Sequence, residues 1–235
     1  FVVCISQSGC STNTVESLRL CKKLGVPAIG LTGNVHSDFE READDVVDYG
    51  LGEEKLDFVS KGVVTLMVFL MLFALYAARA QGRINNEQVE TEKAQMLLGI
   101  DNYEEQIRNF PAYFEANKQK LLSMERVYVI GAGANYGTAL EGAVKIGETV
   151  HIVAVGYEVD EAIHGPQIQL TPNYNFIFID PGDETAPRIQ QSYKAARAMT
   201  DRVFILSNNP EITGKEVMRV THAIKEKLTP LYTLA

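Results

Sequence analysis

Short apolar runs alternate with amphipathic stretches along most of the chain. FVVCIS at residues 1–6 reads as a strand, residues 13–25 (NTVESLRLCKKLG) as a helix closing at Gly25, and PAIGLT (27–32) and DDVVDYG (44–50) as further strands. An apolar helix follows over 56–80, then polar helical sequence over 84–124 that Pro111 should break into two. Beyond it, VYVIGAG, VHIVAVG, NFIFIDPG and VFILSNNP read as strands, with helices at 137–148, 185–200 and 211–227. Such alternation predicts parallel sheets covered by helices. The same unit recurs in both halves, which divides the chain into two α/β lobes: 1–83, connecting helices at 84–124, and 125–235.

Residues 63–78 (VVTLMVFLMLFALYAA) carry no charge, but sixteen residues fall short of the roughly 20 that a membrane span needs. With Lys61 and Arg79 at its ends, this helix is expected to be buried inside a domain or in a dimer interface, without membrane contact. Phe1 opens in mid-strand without Met, so the first lobe reads as truncated at its N-terminus; no signal peptide is legible, and a cytoplasmic protein is expected. A net charge of -8 without a basic stripe argues against nucleic acid as a partner. Cys4, Cys10 and Cys21 lack metal-ligand spacing, so neither a metal site nor a structural disulfide is expected.

Two stretches carry candidate chemistry. Ser6, Gln7, Ser8 and Ser11 lie between a strand and a helix, where hydroxyls and backbone N–H groups can hold a phosphate monoester; helix capping by Ser11 or Thr12 uses the same groups and stands beside that reading. There is no lysine-bearing nucleotide loop. In the second lobe, Gly131-Ala132-Gly133-Ala134-Asn135-Tyr136-Gly137 departs from the dinucleotide fingerprint by one residue and lacks its ribose-binding acid, so no cofactor is expected. The helix after it places Glu141, Lys145 and Glu148 on one face, and His164-Gly165-Pro166 follows. Such a face is either an ordinary solvated ion-pair stripe or a set of groups for moving protons at carbon and oxygen.

SQSG with its hydroxyl-rich turn, together with ALEGAVKIGE followed sixteen residues later by HGP, resembles the SIS (sugar isomerase) family of phosphosugar-binding proteins. The pattern is that of the isomerase domain of glucosamine-6-phosphate synthase and of the fructosamine-6-phosphate deglycases. The resemblance implies two lobes, each a five-stranded parallel sheet flanked by helices, in a homodimer. It implies that Glu148 abstracts a sugar proton, that His164 assists ring opening, with the histidine contributed across the subunit interface in one version, and that Ser6, Gln7, Ser8 and Ser11 hold the phosphate. Ser60, in the segment with Glu54 and Lys61, is implied to border the sugar. Two family features have no counterpart here: a glycine-rich unit before the first strand, and a C-terminal lysine tail, since the last lysine is Lys227.

The expected activity is that of a phosphosugar isomerase or deglycase, deglycation of a fructosamine 6-phosphate being favoured over aldose–ketose isomerisation and amino-sugar-phosphate deamination. A sugar-phosphate sensor without turnover is the reading from another class, but the chain shows no helix-turn-helix spacing. His36 and His222 are expected to be structural, His222 on a late helix and His151 in a buried strand.

Overall fold

The computed structural model describes residues 1–55, 59–169 and 171–234, and the chain divides into two compact units, Phe1–Arg83 and Ile84–Ala235. The first contains β1 (Val2–Ile5), α1 (Thr12–Leu24), β2 (Ala28–Thr32), α2 (Phe39–Glu42), β3 (Asp45–Asp48) and α3 (Lys61–Ala80). Its strands pair in parallel in the order β1-β2-β3. Along α1, Val15, Leu18 and Cys21 recur at one-turn spacing and pack on Cys4, Ala28 and Phe39; burying Leu18 completely contributes about 1.5–3 kcal/mol. The helix stops at Gly25, whose left-handed backbone (φ 66°) lets the next N–H, of Val26, bond back to the Cys21 carbonyl at 2.9 Å.

Among the described residues this sheet has three parallel strands where the resemblance implied five, and the next described element after β3 is α3. Residues 56–58, expected in the same helix, lie outside the described residues. Leu66 and Phe69 of α3 pack on Leu31, Tyr49 and Leu51, but Leu70, Phe73 and Tyr76 are exposed, Phe73 by 58%. Burial all round is therefore not what the unit provides: one face of α3 covers the sheet and the other stays open. By length and composition alone α3 is also long and apolar enough to cross a membrane.

The second unit runs α4 (Asn86–Leu122), β4 (Arg126–Gly131), α5 (Ala134–Val150), β5 (Val153–Glu158), α6 (Val159–His164), a 3-10 turn at Pro166–Gln169, β6 (Asn175–Asp180), α7 (Ala186–Met199), β7 (Val203–Ser207), β8 (Val217–Arg219), a 3-10 turn at Glu226–Leu228 and α8 (Pro230–Thr233). Five parallel strands stand in the order β5-β4-β6-β7-β8. Alternation along β4 sorts the layers. Val127 and Val129 meet Ala139 and Ala143 of α5, whereas Tyr128 and Ile130 join Val159 of α6 and Ile189 and Tyr193 of α7. Hence α5 covers one face of the sheet and α6 with α7 the other. At Gly156 a Cβ would fall 2.5 Å from the Ala139 carbonyl oxygen, so glycine sets how closely α5 approaches β5.

Three expectations fail here for identifiable reasons. α4 runs unbroken through Pro111, starting from a capping box in which the Asn85 side chain accepts from the Gln88 N–H and the Gln88 side chain from the Asn85 N–H. Pro111 and Ile107 are exposed, so the carbonyl that loses its partner faces water. Residues 211–227 form no α-helix: Gly214 takes φ 134°, and Val217–Arg219 pairs with the free edge of β7 instead. His222 thus sits on a loop, its N–H donating to Asn102 Oδ1 at 2.8 Å. His151 is exposed and caps α5 in a left-handed conformation (φ 61°), not in a strand.

The face that α4 turns inward carries three buried amides beside Val89 and Met96. Asn102 Nδ2 donates to the His222 carbonyl (2.8 Å), Gln106 Nε2 to that of Tyr232 (2.9 Å) and Asn117 Nδ2 to that of Lys215 (2.6 Å). Leu97, Ile100, Ile107 and Phe110 of the same helix are exposed.

Candidate functional site

The first loop leaves β1 with its hydroxyls turned toward one another. Ser6, 5% exposed, and Ser11 share a hydrogen bond at 2.8 Å, and Ser8 Oγ accepts from the Cys10 N–H at 3.2 Å. The Gln7 carbonyl accepts from the Gly33 N–H and the Thr32 hydroxyl, both at 3.0 Å, which pins the loop to the end of β2. Gly9 turns the chain at φ 68°, and a Cβ there would run into Ser37 Oγ. Ser11 stands at the N-cap of α1 without making a side-chain capping bond. Ser37 Oγ, on a residue 8% exposed, and Gln7 Oε1 are buried with no hydrogen-bond partner among the described residues. The first turn of α1 thus presents N–H groups uncovered by a cap, the arrangement that favours an anion. Ser60 precedes α3 and is exposed; nearby, Glu54 Oε2 accepts from the Gly62 N–H at 2.9 Å.

On α5, Lys145 Nζ donates to Glu148 Oε2 at 2.6 Å and lies 3.5 Å from Glu141 Oε1. The Glu148 side chain is 43% exposed. The Lys145 ammonium is held above the ordinary lysine value: partial burial works against its charge, but the bond to Glu148 and the field of Glu141 outweigh that. Helical spacing therefore does bring Glu141, Lys145 and Glu148 into one charged cluster. His164, exposed at the end of α6, is on an element that covers the opposite face of the sheet from α5.

The second glycine loop is arranged differently. Gly133 takes φ 54°, and Glu226 Oε1 accepts from the Ala134 N–H at the start of α5. A Cβ on Gly133 would run into that carboxylate. Asn135 Nδ2 donates to Thr229 Oγ1 at 2.7 Å, Thr233 Oγ1 to Asn135 Oδ1 at 2.6 Å, and Thr138 and Thr233 share a bond at 3.2 Å. Glu226 is absent from the residues that motif reading singles out. The signal available for it is Glu226, Thr229 and Thr233 at i, i+3 and i+7, one polar stripe beside Leu228, Leu231 and Tyr232.

The SIS domain model matches residues 1–75 and 120–231. The chain belongs to the SIS domain family. Among curated SIS relatives, the glutamine–fructose-6-phosphate aminotransferase (isomerizing) of Clostridium tetani is 33% identical over 165 residues, 70% of this chain and 27% of the relative. That of Aquifex aeolicus is 29% identical over 238 residues, 99% of this chain and 38% of the relative. The chain thus spans roughly a third of the length of these enzymes. A Clostridium difficile protein provisionally assigned as a phosphosugar isomerase superposes with a TM-score of 0.87 at 27% identity, over 99% of this chain and 64% of the other. The C-terminal domain of the Francisella tularensis glucosamine-fructose-6-phosphate aminotransferase shares the fold, with a TM-score of 0.84 at 22% identity over 99% of this chain and 69% of that one.

Proposed function

We propose that the chain acts on an amino-substituted hexose 6-phosphate, with Ser6, Gln7, Ser8 and Ser11 holding the phosphate and Glu148 serving as the carbon base. The observation that carries this reading is the uncapped start of α1, ringed by hydroxyls: it suits a dianion held by hydrogen bonds and the helix dipole. The SIS membership and relatives named for fructose-6-phosphate amination support the substrate class. In the favoured reaction, the open-chain fructosamine 6-phosphate loses a proton from C1 to Glu148, giving an enaminol. Return of that proton to C2 leaves an imine at C1. Water then adds, releasing the amine and an aldose 6-phosphate, so one water is consumed and no oxidant is needed.

Lys145 orients Glu148 through their 2.6 Å bond, and Glu141, Lys145 and Ser60 border the sugar in this reading. His164 assists ring opening. Because α6 and α5 cover opposite faces of one sheet, the reading favours a homodimer in which one subunit's His164 serves the other's Glu148. Residues 84–124 serve as the connector between lobes, and the enzyme works in the cytoplasm. Aldose–ketose isomerisation and deamination share the proton transfer at C1 and C2. The test is solvent exchange: in deuterated water the protein should place deuterium at C1 or C2 of recovered sugar, and Glu148→Gln should not. Exchange at the parental rate in the variant would make Glu148 structural and leave sugar-phosphate sensing as the reading.

A further inference from the structure

The end of β6 gathers carboxylates that no cation of the chain answers. Asp180, fully buried, closes the strand, and its carboxylate accepts from Gln190 Nε2 and Ser207 Oγ, both at 2.9 Å, and from the Gly182 N–H at 3.2 Å. Asp183 accepts through Oδ1 from the N–H and the hydroxyl of Thr185, at 2.8 and 2.6 Å, while its Oδ2 is buried without a hydrogen-bond partner among the described residues. Tyr232 of α8 is fully buried, and its hydroxyl also lacks a partner among them. Burial first, then the fields of Asp183 and Asp180, raise the pKa of that hydroxyl, so the phenol tip and the two carboxylates share one place. Burial, with Asp183 adding to it, likewise holds Asp180 above the ordinary carboxylate value against its three hydrogen bonds. A cleft of about 450 Å³, lined by Asp183, Glu184, Ile224, Lys225, Glu226 and Lys227, leads in from solvent. Its two lysines are committed elsewhere, since both pair with Glu92. No ion pair among the described residues joins Asp180 or Asp183 to a lysine, arginine or histidine, and buried negative charge without such a partner is costly.

We propose that Asp183 Oδ2 and the Tyr232 hydroxyl, with Asp180 behind them, hold a small monovalent cation of the sodium, potassium or ammonium class, reached through this cleft. The donor set suits such an ion. Its groups are oxygens, one of them a carboxylate oxygen that makes no other bond, and a cation's own waters on the cleft side can accept the phenol proton and complete the shell. No histidine or cysteine lines the cleft, which removes the ligands a transition metal prefers. Among the described residues no three His, Cys, Asp or Glu side chains gather as a metal site, so a divalent ion lacks the charged ligands that a monovalent one does not require. Bound there, the cation ties α8, at the far end of the unit, to the loop after β6. The site stands apart from the sugar-phosphate reading and does not rest on it.

The test is thermal melting of the full chain in sodium, potassium, ammonium and tetramethylammonium chloride at one ionic strength, so that screening is held constant. Tetramethylammonium carries the same charge but is too bulky for inner contact with a buried oxygen. The parent should melt several degrees higher in at least one of the small cations than in tetramethylammonium, and its midpoint should climb with the small-cation fraction as ligand binding to the folded state requires. Asp183→Asn keeps the shape and removes the charge, and it should lose most of that difference. Equal midpoints for the parent in all four salts overturn the proposal and leave a bridging water only. A difference of parental size in Asp183→Asn overturns it as well. If Asp183→Asn does not fold, Tyr232→Phe decides by the same comparison: removing the hydroxyl alone should shrink the difference, and a difference of parental size in that variant overturns the proposal.

Discussion

The two lobes use the same strand-loop-helix device and finish it in opposite ways. After β1, the loop to α1 is lined with hydroxyls, and Ser11 turns its side chain to Ser6 and leaves the helix start uncapped. After β4, the loop to α5 is lined with glycines, and a carboxylate from the far end of the unit bonds to the helix start. Backbone geometry sets up both sites, since Gly9 and Gly133 both take positive φ. What differs is the side chain that arrives. One helix start is left without a side-chain cap and the other is bonded from within; in the proposed reading, phosphate capture falls to the first lobe and proton transfer to the charged face of α5.

The largest effect that could break this division is on turnover. Glu148→Gln should slow conversion of a fructosamine 6-phosphate by about 10²–10⁴-fold, while calorimetric affinity for glucose 6-phosphate stays at the parental value; a parallel loss of binding would show that the lobes do not divide the work. Next in size is Ser6→Ala with Ser8→Ala. Each hydrogen bond to a charged phosphate is worth about 1.5–3 kcal/mol, so the double variant should lose at least roughly tenfold in phosphate affinity. Its Glu148-dependent deuterium exchange should persist at saturating sugar phosphate.

A third pair of substitutions compares the loops directly. Gly9→Ala and Gly133→Ala both force a side chain into left-handed backbone, at about 1–2 kcal/mol, and both add a clash, with Ser37 Oγ and with Glu226 respectively. Denaturant midpoints should fall for both, but only Gly9→Ala should weaken phosphate binding. The smallest effect is expected from Lys145→Met. This part-exposed cluster should contribute about 0.2–1 kcal/mol at neutral pH. Because the folded pKa of Lys145 is raised, that contribution is present below the ordinary lysine value and disappears as pH rises through the higher, folded one. Denaturation of parent and variant should therefore converge at strongly alkaline pH.

Local pattern made the framework legible. α1, the strands other than β8 and the Glu141–Lys145–Glu148 face follow from hydrophobic periodicity and from Gly25, because these patterns are written within a few residues of one another. What periodicity could not show depends on distant partners. Residues 211–227 have enough apolar content for a helix, yet the open edge of β7 and the Lys120–Glu216 pair at 2.9 Å draw 217–219 into the sheet. Pro111 reads as a break until its place on the exposed side of α4 is known. α3 reads as a buried helix because its composition is uniform, whereas only the Leu66 and Phe69 face has a sheet to cover. The role of Glu226 is hidden for the same reason: its polar stripe with Thr229 and Thr233 does not point to its partner, Ala134, 92 positions away.

The buried amides of α4 set an order of events during synthesis. Asn102, Gln106 and Asn117 emerge from the ribosome early in the second unit, but their acceptors on His222, Tyr232 and Lys215 lie 120, 126 and 98 positions later. A nascent α4 therefore waits, with its amides answered by water and its capping box holding the first turn, until the strand β8 and the segment behind it have been made. Contacts this far apart along the chain close slowly, so the second unit should reach its native form only after residue 232 is free of the ribosome, and a chain arrested at residue 210 should remain open to protease along α4.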